Sequence, residues 1–353
     1  MLWHLRDPAN ESVLPVLIFA GAMLGFVLAR FQYLNIEGNY AKGAAPGEWY
    51  WYRAGYYRIG ITIHLACALP AGFLMVWQFV PSIRRNFLLF HRINGYVVST
   101  LVILSNVGAL MIVRRSFGGN IETQTAVGVL VVLTTVGIAM GFINIKKLQV
   151  DQHRAWMLRT MFYLGTIVSD RVLMIISAMI TSAVRSYFVV MSCDEIAFIV
   201  RDDIANIPEY MRRNYPGCFI DPRNTSSASA SIMSDNKVVV QANILSDKTE
   251  GTAAAFRLTF GTALWLAILL HLVGVELYLA LTPRESHRLR QVAYQKQLDA
   301  GMRNPGSGGL VLERFGDADE WVYDRPARKV SLDGSDTEQA NNSQAMSTSN
   351  VYR

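Results

Sequence analysis

Charged residues are scarce in this chain: Asp, Glu, Lys and Arg make up only 17% of its 353 residues. A soluble domain carries about 25%. The deficit is concentrated in long apolar stretches, which excludes an ordinary water-soluble fold and indicates an integral membrane protein. The strict polar–apolar alternation of barrel strands is absent from these stretches, so they are predicted to be helices.

Motifs of several enzyme classes are also missing. The sequence has no phosphate-binding loop, no Gly-x-Ser-x-Gly elbow, no His-Glu-x-x-His zinc helix and no dinucleotide fingerprint. These absences argue against the enzymes built on those motifs. They leave open whether the protein is an enzyme, and they identify no catalytic residue.

Six apolar stretches predict an all-α bundle of six transmembrane helices. Crossing the hydrocarbon takes about 20 apolar residues, because a helix satisfies its own backbone polar groups. A further stretch, Tyr187–Val200, is short and contains Asp194 and Glu195, so it is not predicted to span. The six predicted spans are Val13–Ala29, Ile59–Val80, Ile93–Val113, Thr125–Ile145, Met157–Ser182 and Leu258–Leu281.

The spans divide the chain into five parts. Residues 1–58 hold the first span and an aromatic loop, 59–182 a four-helix core, 183–257 a long loop, 258–303 the sixth span with a polar extension, and 304–353 a tail. The first span is longer than the core of a secretory signal and is interpreted as an uncleaved helix. The tail has too few apolar residues to fold alone, so it is predicted to be disordered. The aromatic run at 49–52 is interpreted as an interfacial anchor.

Basic residues predict the orientation. They are concentrated after the second, fourth and sixth spans, as in Arg84-Arg85 and Lys146-Lys147, whereas acidic residues dilute them in the short loops on the other side. The positive-inside rule then places both termini in the cytoplasm, in either the plasma membrane or an endomembrane. Basic residues in this setting indicate contact with lipid phosphates of the bilayer and not with nucleic acid.

The long loop between the fifth and sixth spans has features of an extracytoplasmic segment. It contains Cys193 and Cys218, two of the three cysteines, and a disulfide between them would close the loop in an oxidising compartment. It also contains Asn224-Thr225-Ser226, an acceptor pattern for N-glycosylation. Cys67 lies within the second span and is interpreted as a packing residue.

Polar side chains inside the spans are candidates for function because they are costly to bury in lipid. Asp170 and Arg171 are adjacent on one helix and point about 100° apart, so at least one needs a partner on another helix or a water-filled cavity, with His64 and Glu276 as candidates. An alternative is that the polar residues only form hydrogen bonds between helices. The full set is His64, Asp170, Arg171, His271 and Glu276.

Two His-Arg pairs, His91-Arg92 and His153-Arg154, begin the third and fifth spans and therefore lie at one membrane face. They support three interpretations. The two imidazoles could ligate haem b, with the arginines near its propionates. They could bind another metal together with Asp151. Alternatively, each pair caps a helix and binds lipid phosphates.

At these residues the chain resembles the membrane proteins grouped as domain of unknown function 2306. The resemblance covers about Ile59 to Ser182, and the long loop with the polar tail is similar to fungal versions of the family. It implies a membrane protein and brings no activity with it. The residues that carry it are His64, Gln78-Phe79, His91-Arg92, Gly95, His153-Arg154, Trp156-Met157, Arg159 and Arg171.

A looser resemblance is to six-helix electron carriers of the cytochrome b561 type. These place histidine pairs on helices two and four and on helices three and five. His91 and His153 suit the second pair, and His64 lies on the second span, but the fourth span has no histidine. A second haem would therefore need His271 from the sixth span.

The sequence thus leads to a multi-pass membrane protein, with a haem- or metal-binding redox protein as the main functional hypothesis. It rests on His91 and His153 with their flanking arginines. The alternatives are a transporter or receptor-like bundle with a polar intramembrane path, and a non-enzymatic membrane scaffold whose tail binds partners.

Overall fold

A computed structural model describes residues 13–221, 224–228, 231–233, 236–306, 316–317 and 321–323. Five of its helices are long and apolar enough to cross a membrane, and a bent sixth brings the number to six if the pair of helices around the bend is one span. The predicted all-α membrane bundle is confirmed. The five are α3 (Gly55–Val76), α5 (Leu88–Ile112), α6 (Ile121–Lys146), α7 (Val150–Val184) and α10 (Thr249–Leu281).

The first helix, α1 (Val13–Arg30), ends in a sharp bend. A 3-10 turn at Phe31–Leu34 is followed by a π turn at Ile36–Tyr40, and the chain changes direction by 100° between them. The Asn35 side chain accepts a hydrogen bond from the Gly38 N–H at 3.0 Å and begins the new direction. The segment after the bend therefore runs across the end of the bundle, where α2 (Glu48–Tyr52) follows it.

The helices pack as two close pairs joined by neighbours. The α3 and α5 helices cross closely at Gly60 and Gly108, where a β-carbon on Gly108 would lie 2.6 Å from the His64 backbone nitrogen. The other close contacts join α7 to α10 and to α6, and α1 packs on both α3 and α7. Small residues at such crossings let helix backbones approach, which drives association in lipid.

A central cluster of apolar side chains unites the first five spans. Its buried members come from α1, α3, α5 and α7, and Ile138 of α6 packs against it. Large apolar side chains on the outer surfaces of α7 and α10, such as Ile180 and Val273, are exposed and suit contact with lipid. The central cluster consists of Met23, Val27, Leu69, Ala71, Met75, Val98, Val102 and Met161.

One face of the bundle, called here the loop face, carries a small domain built from residues 185–248. Two antiparallel strands, β1 (Phe188–Ser192) and β4 (Lys237–Gln241), pair at its base. The predicted disulfide is confirmed, because Cys193 and Cys218 are bonded. The domain also contains α8 (Cys193–Val200), α9 (Ile207–Asn214), β2 (Ile220–Asp221) and β3 (Asn224–Ala228).

The segment 187–200 and the first turns of the sixth span both belong to the loop-face domain. The segment 187–200 does not span, as predicted: it divides into β1 and α8. The start of the sixth span was predicted too late, because α10 begins at Thr249 and not at Leu258. Its first turns are less apolar than a lipid-exposed helix because they pack inside the loop-face domain. Asn224 begins β3, and its glycosylation stays a prediction.

The opposite face, called here the tail face, carries α11 (Pro283–Asp299). The sequence predicts a continuous extension of the sixth span, but Pro283 begins a separate helix after α10 ends at Leu281. Gln297 of α11 donates to the Lys147 carbonyl at 2.9 Å and accepts from the Gly306 N–H at 2.7 Å. This side chain joins α11 to the α6–α7 turn and to the start of the tail.

Part of the predicted disordered tail, residues 304–353, packs on α11. The Tyr323 ring stacks on Tyr294 with centroids 4.7 Å apart, and the Arg290 guanidinium lies 4.7 Å from the Trp321 ring. Most of the tail lies outside the described residues, including everything after Tyr323. Within the described part, the tail returns to the helix that precedes it.

Candidate functional site

His153 lies in the first turns of α7 and is held by the neighbouring helix. Its Nδ1 atom is 2.8 Å from the carbonyl oxygen of Gly141 on α6. Because a carbonyl only accepts, Nδ1 carries the proton and Nε2 keeps its lone pair. Gly141 permits this approach, since a β-carbon there would lie 2.6 Å from the Met157 sulfur. His153 therefore has the tautomer and orientation typical of a metal-ligating histidine.

His91 lies in the first turn of α5, close to the end of α3. Gln78 donates to the His91 carbonyl at 3.3 Å, and Asn94 donates to the Leu74 carbonyl at 3.0 Å. His91 and the buried Val98 are seven residues apart, so they share one face of the helix. That face of α5 packs into the central cluster.

His153 likewise shares a face of α7 with residues of the central cluster. Met157 and Met161 follow His153 by four and eight residues, and both pack in or against the central cluster. The two predicted histidines thus lie on the cluster-facing sides of α5 and α7, at its tail-face end. Sequence alone predicts a common membrane face, and the helix phases add a common interior side.

The two arginines flank this end of the cluster. Arg92 is exposed. Arg154 donates to the Thr282 hydroxyl at 3.4 Å, and its guanidinium lies 5.9 Å from the Tyr278 ring. Both cations are therefore at the tail face, where lipid phosphates or the carboxylates of a bound group would lie.

The structure shows no set of ligands around Asp151 among the described residues that would complete the predicted metal site. The Asp151 carboxylate accepts from Gln152 at 3.3 Å. Within the described residues, no group of three or more His, Cys, Asp and Glu side chains is placed to hold a metal ion. A site with two histidines would need its remaining ligands from a bound group.

The intramembrane pair Asp170–Arg171 lies toward the loop face. Asp170 is completely buried, and neither carboxylate oxygen has a hydrogen bond in the described part of the chain. The closest approach of the pair is 3.9 Å, from Arg171 Nε to Asp170 Oδ2. The Arg171 guanidinium packs over the rings of Phe117 and Phe260, at 5.0 and 5.2 Å.

The other polar residues in the spans have their own partners. His64 Nδ1 is 3.1 Å from both the carbonyl and the hydroxyl oxygen of Ser105 on α5. His271 Nε2 is 2.8 Å from the hydroxyl of Ser169. These contacts join α3 to α5 and α10 to α7.

The expectation that Glu276 would partner Asp170 or Arg171 is wrong. Glu276 instead accepts two hydrogen bonds from Arg159, at 2.6 and 2.9 Å. The reason is the position of Glu276 along α10. Glu276 lies five residues beyond His271 and nearer the tail face, where it contacts Arg159 of α7. His64 and Tyr40, which follows the bend, both lie within electrostatic range of Arg171.

The sequence does not predict a buried polar network that lies at the loop face. Glu195 of α8 accepts hydrogen bonds from Arg257 and, at 2.8 Å, from the Trp51 indole. Glu48 of α2 accepts at 2.8 Å from the N–H of Phe117. Burial raises the pKa of Glu48 to about 7, although the Phe117 N–H and Arg257 oppose this shift. Trp51, part of the aromatic run predicted to be an interfacial anchor, belongs to this network, and the anchor role of the run stays a prediction.

Comparison with known proteins agrees with the membrane fold. Residues 61–200 match the family described as predicted membrane protein (DUF2306), which confirms the resemblance predicted from the paired His-Arg motif. The chain is also similar to the Ava biosynthesis cluster protein G of Aspergillus versicolor, at 21% identity over 74% of this chain and 86% of that protein. No solved structure matches the chain.

Proposed function

We propose that this multi-pass membrane protein is a redox protein that binds one haem b through His91 and His153. The carrying observation is the position of both histidines on the faces of α5 and α7 that pack into one apolar cluster. A haem supplies one-electron transfer when bound, and its potential is tuned by axial ligands and burial.

The residues present fit this group. His153 donates Nδ1–H to the Gly141 carbonyl, which directs Nε2 toward a ligand and fixes the ring. The central cluster offers an apolar surround that excludes water. Arg92 and Arg154 lie at the tail face, where they can neutralise the two propionates.

A single haem is favoured over two. The α6 helix has no histidine, while His64 is engaged with Ser105 and His271 with Ser169. The second pair of a two-haem carrier would have to break both contacts. We therefore assign the remaining histidines to structural or ligand-binding roles.

The proposed task is electron supply at a membrane. The similar Aspergillus versicolor protein is named for a biosynthesis cluster. Reductive biosynthetic steps, and oxygenations that reduce O2, consume electrons, which a membrane haem protein can deliver.

The proposed orientation places the tail face in the cytoplasm and the loop face outside it. The bonded Cys193–Cys218 pair supports this, because disulfides persist in oxidising compartments. A glycan at Asn224 would test it: N224Q should remove a mobility shift that glycosidase also removes.

The haem test uses the full chain purified from cells supplied with haem precursor. A Soret band that is present in the native protein and lost in both H91A and H153A supports the proposal. The matched control is H287A, because His287 also lies at the tail face, but on α11. A native protein without haem absorption, or haem retained in both variants, would contradict it.

A further inference from the structure

We propose that Asp170 and Arg171 form a binding site for a small carboxylate anion that is taken up together with one proton. The site lies toward the loop face and uses residues separate from His91 and His153. It therefore stands or falls independently of haem binding.

Asp170 is an incompletely neutralised group. It is 0% exposed, its two oxygens accept no hydrogen bond within the described residues, and Arg171 Nε is 3.9 Å away. Charge-assisted hydrogen bonds have lengths of about 2.7–2.9 Å. A buried carboxylate without donors is costly, so it is either weakly balanced by the adjacent cation or protonated.

Arg171 has hydrogen-bonding capacity to spare. Its side chain is 29% exposed, and its Nη1 atom contacts the Met174 sulfur at 3.9 Å. In the part of the chain that the structure describes, it donates to no oxygen. The aromatic pair beneath it holds the guanidinium in place. The planar fork of such a group matches the two oxygens of a carboxylate.

Charge balance links the anion to a proton. With Asp170 ionised, the pair has zero net charge. A monovalent anion bound to Arg171 would leave one negative charge in a poorly solvated site, which is unfavourable. Transfer of one proton from water to Asp170 restores neutrality and releases Arg171 from its weak pairing. No covalent bond of the anion changes.

The surrounding titratable groups leave Asp170 as the proton acceptor. The Arg171 charge acts on Tyr40 and His64, neither of which carries a negative charge at neutral pH, and Tyr40 also lies near Glu48. Glu48 accepts from the Phe117 N–H, and D170N separates its titration from that of Asp170. On α10, Arg257 forms an ion pair with Glu195, and Glu276 forms one with Arg159. His271 is hydrogen-bonded to Ser169, the residue next to Asp170. The α6 helix has no ionisable residue between Glu122 and Lys146.

The test measures acetate binding to the full chain in lipid nanodiscs by calorimetry, in two buffers that differ in ionisation heat. Native protein should bind acetate with uptake of about one proton, and binding should weaken about tenfold for each unit of pH above neutrality. Acetamide, the neutral analogue, should not bind.

Two variants separate the role of Asp170 from that of Arg171. D170N, which mimics the protonated acid, should bind acetate without proton uptake or pH dependence. R171Q should lose at least tenfold in affinity.

The matched control is E276Q, because Glu276 belongs to a different ion pair on the same pair of helices. It should keep both acetate binding and proton uptake. If R171Q does not fold, R171K decides, because it keeps the charge and loses the planar fork. The proposal is overturned if native protein binds no acetate between pH 6 and 8. It is also overturned if proton uptake is absent or persists in D170N, or if acetate affinity is unchanged in both Arg171 variants.

Discussion

Glu195 of α8 and Arg257 of α10 form an ion pair that is buried on both sides, with side chains only 3% and 7% exposed. The Trp51 indole donates to the same carboxylate, so three separate segments meet at one oxygen. Asn120, at the start of α6, adds a hydrogen bond to the Arg257 carbonyl at 3.1 Å. The Glu195–Arg257 ion pair therefore joins the disulfide-closed domain to the bundle.

Removing one partner of this pair should destabilise the protein strongly. R257M leaves the Glu195 charge buried without its cation, at a cost of about 3–5 kcal/mol. The double variant E195M/R257M should recover most of that loss, because no buried charge remains. Thermal unfolding in detergent would measure both.

The matched control for the ion pair is Arg201–Asp202, whose side chains are 39% and 80% exposed. R201M should change stability by less than about 1 kcal/mol. A cost for R257M no larger than that for R201M would show that Glu195 and Arg257 are not buried together in solution.

Glu48 should make stability depend on pH. Its pKa is raised from 4.5 to about 7 by burial. The folded protein therefore holds a proton there that the unfolded chain releases near pH 4.5. The stability from this group is complete at lower pH and is lost as the pH rises toward and through 7. A shift of this size corresponds to roughly 3 kcal/mol between pH 4.5 and pH 8.

The variant E48Q should remove this component. Unfolding temperatures measured from pH 5 to pH 8 should fall for the native protein and fall less steeply for E48Q. E37Q is the control, because Glu37 is exposed and pairs only loosely with Arg58 at 3.2 Å. Parallel slopes for native protein and E48Q would refute the assignment.

G141A should impair haem binding while the fold persists. A methyl group at this position would lie 2.6 Å from the Met157 sulfur and 3.9 Å from His153 Nδ1, so the displaced Met157 side chain crowds His153 and disturbs its contact with the Gly141 carbonyl. We expect the haem content of purified protein to fall at least several-fold. Absorbance at the Soret maximum, normalised to protein, gives the measurement.

Gly128 provides the control on the same helix, because a β-carbon there would meet nothing within 4 Å. G128A should therefore keep the native haem content. Equal haem content in G141A and G128A would show that the Gly141 contact does not orient a ligand.

Loss of the disulfide should loosen the loop-face domain and leave the bundle intact. C193S removes a cross-link that closes 25 residues of chain, with a typical cost of 2–5 kcal/mol. Limited proteolysis should then cut between residues 185 and 248 faster than in the native protein. C67S, at the unpaired cysteine of α3, should leave the cleavage rate unchanged, and a matching increase there would contradict a specific effect of the disulfide.

The sequence predicts the spans well because hydrophobicity alone decides which segments enter a bilayer. Four of the five long helices begin and end within about seven residues of their predicted bounds, α10 begins about nine residues before its predicted start, and the Cys193–Cys218 disulfide was predicted correctly. The main error occurs where protein and not lipid surrounds the start of a helix. The first turns of α10 are buried against the loop-face domain, and composition does not distinguish that environment from lipid.

Side-chain partners were the least predictable feature. His91 and His153 could be assigned to one membrane face by counting spans, but their common interior side follows from helix phases that need the packed bundle. Glu276 was expected to partner Asp170 or Arg171, because the sequence does not show which residues of neighbouring helices lie at the same depth in the membrane. Its actual partner, Arg159, is among the residues that carry the family resemblance. The Glu195–Arg257 contact joins residues 62 positions apart, a separation that no local pattern reveals.

The α10 helix is continuous from the loop face to the tail face. Its 33 residues correspond to about 50 Å of straight rod at 1.5 Å per residue. Arg257 fastens one end to the disulfide-closed domain, and Thr282 just past the other end receives a hydrogen bond from Arg154, beside His153. One continuous helix therefore connects the disulfide-closed domain at one face with the residues beside His153 at the opposite face.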